Sequence, residues 1–269
     1  MTVEGVAIAT ITSQAISAIL TLITLFKSNG YGSLKIKYLK FHKVQLKEIL
    51  VLGIPSGIQS IAFNISNVLI QSMVNSFDAV GMSANTTAAQ FDGIIYNVGN
   101  AIAMSTMAFV GQNLGARRMD RVKVTIINGA LIGIIFTFSI GGIFALLAPF
   151  LCGIIASNQE VIAMASQRLV IMCVTYFLCS VMEVLSNSMR ALGKPVVALF
   201  ISITGATVFR TILLEIIFAI IPEFYIIFVT YPASWLFTIS IYLIVLPKVY
   251  KRKKIEVELE RLDVEKTIA

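Results

Sequence analysis

The chain has 269 residues, of which 57% are hydrophobic and only 13% charged, and its mean hydropathy of +0.88 excludes an ordinary water-soluble domain of this length. The formal net charge of +7 does not indicate nucleic acid, because the basic residues are spread over four short stretches rather than one aromatic-studded face. They are suited instead to anionic lipid headgroups beside a membrane.

A membrane-spanning helix needs about 20 apolar residues. Seven segments meet that length, at about residues 5–26, 48–76, 84–113, 122–148, 160–189, 195–221 and 224–247. The expected fold is therefore all-α, a polytopic membrane protein of seven spanning helices. Lys and Arg fall in alternate gaps: six between Lys27 and Lys47, four between Arg117 and Lys123, Arg190 with Lys194, and seven from Lys248 to Lys266. The gaps around Asp78, Asn158 and Pro222 hold none. Basic loops stay cytoplasmic, so the sequence predicts Met1 outside and the C-terminus in the cytoplasm of a multi-pass cell-membrane protein.

The first predicted span, within residues 1–26, stands apart from the rest. Residues 27–47 carry six Lys, Gly30, Gly32 and the single histidine, His42, and read as a cytoplasmic linker. Residues 48–250 then hold six helices joined by short turns marked by Gly81, Gly115, Pro149, Gly193, Pro195 and Pro222. The tail, 251–269, mixes charges with Ile255, Val257, Leu259, Leu262 and Val264, a pattern for a short surface helix or a frayed end. Three GxxxG pairs, Gly53–Gly57, Gly111–Gly115 and Gly129–Gly133, are read chiefly as close helix packing.

Polar residues recur at helical spacing in three of the spans. Ser60, Asn64, Asn67, Gln71 and Asn75 follow one another at intervals of three or four, which puts them on one face over about 22 Å of helix. Thr86, Gln90, Gly93, Asn97 and Asn100 repeat the design, with Asp92, Tyr96 and Gly99 alongside. Cys173, Tyr176, Ser180, Glu183 and Asn187 form the third stripe. Unpaired amides cannot face acyl chains without a cost of several kcal/mol. Three such faces imply one shared wet cavity, with helix-to-helix polar contacts as the alternative.

Four charged residues lie deep within predicted spans, Asp92, Glu183, Arg210 and Glu215, and Arg168 lies inside an apolar segment as well. Asp92 and Glu183 sit at the stripes, where a carboxylate can bind a cation or change protonation. Their alternative role is a fixed salt bridge, with Arg168 or Arg210 as counter-ion. Arg210 and Glu215 are about 140° apart around one helix and are not expected to pair.

Enzymatic constellations are missing from the sequence. A lone His42 excludes Ser-His-Asp, Cys-His and HExxH sites, Gly193-Lys194 is followed by Pro195 instead of Ser or Thr, and Cys152, Cys173 and Cys179 form no CxxC pair. The expectation is a protein that is not an enzyme and holds neither metal nor cofactor.

The run Ala84-Asn85-Thr86-Thr87-Ala88-Ala89-Gln90, followed by Phe109-Val110-Gly111-Gln112-Asn113-Leu114-Gly115-Ala116 and Arg117-Arg118, resembles the multidrug and toxic compound extrusion (MATE) family. Gly53-Ile54-Pro55-Ser56-Gly57 with Asn64-Ile65-Ser66-Asn67 is similar to the helix that opens that family's C-terminal lobe. Ser188-Met189-Arg190-Ala191-Leu192-Gly193-Lys194 resembles its basic turn near the end of helix ten. The resemblance implies twelve helices in two lobes, of which this chain would carry helix six, the linker and the C-terminal lobe. It implies cation-coupled export of drugs or other amphipathic organic solutes, organic cations above all, in exchange for H+ or Na+.

On that resemblance the cavity would be lined by Asn64, Asn67, Gln71, Gln90, Tyr96, Asn97, Asn100, Tyr176 and Asn187, and the coupling groups would be Glu183 and Asp92. The partners would be the bilayer, small organic solutes, and a missing N-terminal lobe or second chain. The acid that some members place in helix seven has no counterpart here, where Phe63 and Asn64 stand. A lipid-linked glycan flippase of related architecture, or a non-transporting membrane subunit, are the alternatives.

Overall fold

The computed structural model describes residues 3–28, 34–38, 40 and 42–268. Met1 and the linker residues Gly30 and Gly32 lie outside the described residues, as do Ala269 and the side chains of Val264 and Lys266. Every described long segment is helical, and seven are long and apolar enough to cross a membrane. The all-α, polytopic class expected from composition is the observed one.

Residues 1–49 form one compact unit and residues 50–269 another. The first holds α1 (Val3–Lys27), a single 3₁₀ turn at Ile36–Tyr38 and the start of α2 (Lys43–Asn75). In α1, Thr12, Thr21 and Thr24 return their hydroxyls to carbonyls four residues back, which removes polar groups from an otherwise apolar span.

The second unit contains the rest of α2, then α3 (Asp78–Gly115), α4 (Met119–Leu146), α5 (Ala148–Ile155) and α6 (Gln159–Ala191). After these come α7 (Pro195–Ser202), a π-helical stretch at Ile203–Phe209, α8 (Arg210–Ile220) and α9 (Phe224–Ile268). Helix α6 is its spine, packed by α3, α4, α5, α7 and α9. Asn158 starts α6 by accepting the Glu160 amide, and Pro195 starts α7 at a position where its missing N–H costs nothing. Gly193, with φ of 77°, ends α6 in the left-handed turn that lets Lys194 N–H reach the Met189 carbonyl.

Several boundaries differ from the sequence reading. Helix α2 begins at Lys43, inside the predicted linker, because Lys43, Gln45 and Lys47 interrupt the apolar signal without preventing a helix start. The third span begins at Asp78 rather than near residue 84, after a two-residue turn closed by left-handed Asp78. The predicted 122–148 span is α4, followed by a separate short helix, α5. The tail is neither a separate surface helix nor a frayed end: α9 runs on through it, past Pro247, with Lys253–Glu256 and Lys254–Glu258 pairs at 2.9 and 3.7 Å along its flank.

Candidate functional site

Helix α6 brings the third polar stripe to the middle of the second unit. Its residues 173, 176, 180, 183 and 187 step by three and four, so one face carries Tyr176 and Glu183, flanked by Met172, Cys179 and Met182. This face opens on a cavity of about 370 Å³. Helix α2 adds Phe63, Asn67, Ile70 and Gln71, and α3 adds Asn85 and Tyr96. The opposite wall comes from Ala206 and Arg210, at and just after the π-helical stretch, and from α9.

Aromatic rings form much of that wall. Phe228, Tyr231 and Trp235 recur at intervals of three and four on α9, and the row continues across to α6, where Tyr176 lies 5.5 Å from Trp235 between centroids. Tyr231 meets Trp235 edge-on at 5.9 Å. Such a surface buries an apolar body and tolerates different shapes.

The charges are distributed unevenly around it. Arg168 on α6 pairs with Asp92 on α3 at 2.9 Å, both side chains being less than a tenth exposed (9% and 7%). Its Nη1 also donates to the Asn85 carbonyl at 2.7 Å, and its guanidinium lies 4.9 Å from the Phe228 ring. Glu183 is partly buried. Asn187 donates to its carbonyl at 3.0 Å and lies 3.5 Å from its carboxylate, while Arg190 donates to Asn187 at 3.0 Å and to Gln59 of α2 at 2.6 Å. A hydrogen-bonded chain thus runs from Glu183 to α2.

Arg210 has neutral partners. Its Nη2 donates to Ser66 at 2.8 Å and lies 3.5 Å from the Asn67 oxygen, with the Tyr231 ring 4.5 Å from the guanidinium carbon. Among the described residues it pairs with no carboxylate, so of the two expected counter-ions only Arg168 is placed against one. Glu215, expected deep in a span, has its side chain exposed on α8, turned away from Arg210's buried face by the five-residue step.

Asn67, Gln71, Tyr96, Tyr176, Glu183, Arg168 and Arg210 are therefore brought together, and the other expected lining residues are not. Asn64 is exposed and returns its amide to the Ser60 carbonyl at 2.9 Å. Gln90 and Asn97 are exposed on α3 away from the cavity, and Asn100 borders a tight crevice beside Ser180 that has no room for a water molecule. Asn187 is buried and spent on the Glu183–Arg190 chain. Asp92 does not reach the cavity because Arg168 stands in front of it.

Most of the aromatic and apolar lining was missed by the sequence reading, and so was Asn85. Phe228, Tyr231 and Trp235 carried a signal in their spacing, hidden by an apolar helix in which any aromatic reads as core. Asn85 lies one residue before the α3 stripe; its amide donates to Gln71 at 3.0 Å and joins α3 to α2. Among the described residues, no three His, Cys, Asp or Glu side chains stand close enough together to hold a metal ion.

Comparison with known proteins finds a family model and relatives that match the chain. The family model described as MatE matches residues 55–216. A probable multidrug resistance protein, YoeA of Bacillus subtilis, is 26% identical over 216 residues, covering 77% of this chain and 46% of its own length. The multidrug export protein MepA of Staphylococcus aureus is 24% identical over 202 residues, covering 72% of this chain and 43% of its own. The chain thus spans under half the length of these curated relatives. Among solved structures, a MATE protein in complex with MaL6 superimposes with a TM-score of 0.81 at 17% identity, over 93% of this chain and 57% of that one. The Vibrio cholerae MATE transporter VcmN in its bent form gives 0.74 at 17% identity, over 93% and 54%.

Proposed function

The chain belongs to the MatE family, and from that membership we propose that it forms one lobe of a cation-coupled antiporter exporting amphipathic organic solutes. The observation that carries the reading is the cavity of about 370 Å³ in which an aromatic wall faces a single carboxylate, Glu183, that no Lys or Arg neutralises by direct contact among the described residues. A solute's apolar body rests on Tyr176, Trp235 and Tyr231. Glu183 is the coupling group, taking up H+ or Na+ on one side of the membrane and releasing it on the other. The multidrug resistance and export named for the relatives support the solute class.

Transport requires the cavity to face each side of the membrane in turn, which paired lobes achieve by rocking about a shared midplane site. This lobe therefore works against a second one, supplied by a MATE-type N-terminal lobe or by another chain. With basic loops inside, Met1 faces out and α9 ends in the cytoplasm. Asp92 is assigned to holding Arg168, and coupling rests on Glu183 alone.

The test is export of a fluorescent amphipathic dye from pump-deficient cells that co-express this chain with a MATE N-terminal lobe. Export above that of either half alone is expected, falling at least about tenfold with Glu183→Gln, the loss of about 1.4 kcal/mol or more of coupling. Undiminished, ion-driven export by Glu183→Gln would overturn the coupling assignment.

A further inference from the structure

The sequence reading expected organic cations drawn to buried carboxylates, but the cavity's charge is arranged otherwise. Asp92 is spent on Arg168 at 2.9 Å, so that pair presents no net charge. Two lining residues remain with charges of opposite sign, Glu183 and Arg210. Arg210 is 5% exposed, and among the described residues it has no acidic partner.

A guanidinium buried without a counter-ion is costly, and a fold that keeps one usually gives it something to bind. Arg210 is held in place rather than neutralised. Ser66 and Asn67 receive Nη2, the Tyr231 ring lies 4.5 Å from the guanidinium carbon, and the buried Nε makes no hydrogen bond. The group is planar with donors in a fixed fork and lines the cavity, where the donors not given to Ser66 and Asn67 suit a carboxylate oxygen. Its placement has a local cause: Arg210 follows directly on the π-helical stretch Ile203–Phe209, which re-aims the residues after it. Beside it, Tyr231 leads to Trp235 and Tyr176, a surface for an apolar body.

We propose that this cavity selects organic carboxylates, with Arg210 gripping the carboxylate and the Tyr231–Trp235–Tyr176 rings holding the apolar part. The inference rests on reading the cavity as the solute site and adds the sign of the solute's charge. Glu183, on the α6 wall, then faces a bound molecule whose anionic end is directed away to Arg210.

Trp235 is the sole tryptophan and lines the cavity, so its fluorescence reports occupancy directly. The chain, purified into lipid nanodiscs, is titrated with phenylacetate and with phenethylammonium, probes that share an aromatic body and differ in charge. Phenylacetate is expected to bind at least about tenfold more tightly than phenethylammonium, and Arg210→Gln to weaken phenylacetate at least about tenfold while leaving phenethylammonium no weaker. Arg210→Lys retains a point charge without the fork and should give an intermediate loss, which keeps the test available if the Gln variant fails to fold. Equal affinities, an ammonium preference, or full phenylacetate binding by a folded Arg210 variant would overturn the carboxylate assignment and leave the cavity as a solute site. A tryptophan signal that responds to neither probe removes the solute site and the carboxylate assignment together.

Discussion

The Asp92–Arg168 pair ties α3 to α6 at the cavity wall, and removing one partner has a calculable effect. At an effective dielectric of about 20, unit charges about 4 Å apart attract by about 4 kcal/mol. Both side chains are under a tenth exposed, so water cannot replace the lost partner. Asp92→Asn leaves the guanidinium with the Asn85 carbonyl and the Phe228 ring, and Arg168→Met leaves a bare carboxylate. Each single change should destabilise the purified chain by about 3–5 kcal/mol. The double variant removes both charges, and its loss should fall short of the sum of the singles by at least about 2 kcal/mol, because neither charge is stranded. Unfolding of all four proteins in one detergent, followed by helical circular dichroism, completes the cycle. Additivity within about 0.5 kcal/mol would refute the coupling, and with it the assignment of Asp92 to structure instead of ion exchange.

Three further outcomes follow from neighbouring features. A Cβ at Gly141 would collide with the Cys173 carbonyl of α6, whereas one at Gly142 meets nothing within 4 Å; Gly141→Ala should therefore cost about 1–3 kcal/mol in thermal unfolding and Gly142→Ala almost nothing. Gln59→Leu removes the 2.6 Å bond from Arg190 and should destabilise by about 1.5 kcal/mol, Arg190 being only partly buried, while Ser60→Ala, whose hydroxyl bonds within its own helix, stays within about 0.5 kcal/mol. In a variant whose three native cysteines are replaced, a cysteine at Asn158 should react with a membrane-impermeant maleimide added to intact cells and one at Lys123 should react only after lysis; the reverse pattern would invert the proposed orientation.

Legibility of the sequence varied with the kind of information asked of it. Charge alternation and apolar length marked seven spans because burial in lipid constrains whole segments, and small errors at their ends leave that signal intact. The π-helical stretch left no mark, since Ile203–Phe209 has a composition any apolar helix could carry, yet it directly precedes Arg210. The three GxxxG pairs are equivalent as text and different in space. Gly129 and Gly133 lie against Thr106 and Ser180, so that pair is packed within the lobe, whereas Gly53, Gly57, Gly111 and Gly115 have nothing within 4 Å of an added Cβ.

Site residues were legible as chemistry and ambiguous as direction. Spacing by three and four confines a stripe to an arc of roughly 100°, wider than the part of a helix that one cavity touches. Asn64 and Asn67 are about 60° apart on α2, and that angle separates an amide folded back on Ser60 from one that meets Arg210. The same limit kept Asp92's counter-ion open between Arg168 and Arg210. Helical phase puts each Arg on a face, but the choice depends on how α6 and α8 are shifted along α3, a tertiary quantity that no single helix encodes. With Arg168 taken by Asp92, Arg210 is the basic group left over, and the proposed sign of the solute rests on that pairing rather than on the number of acids in the spans.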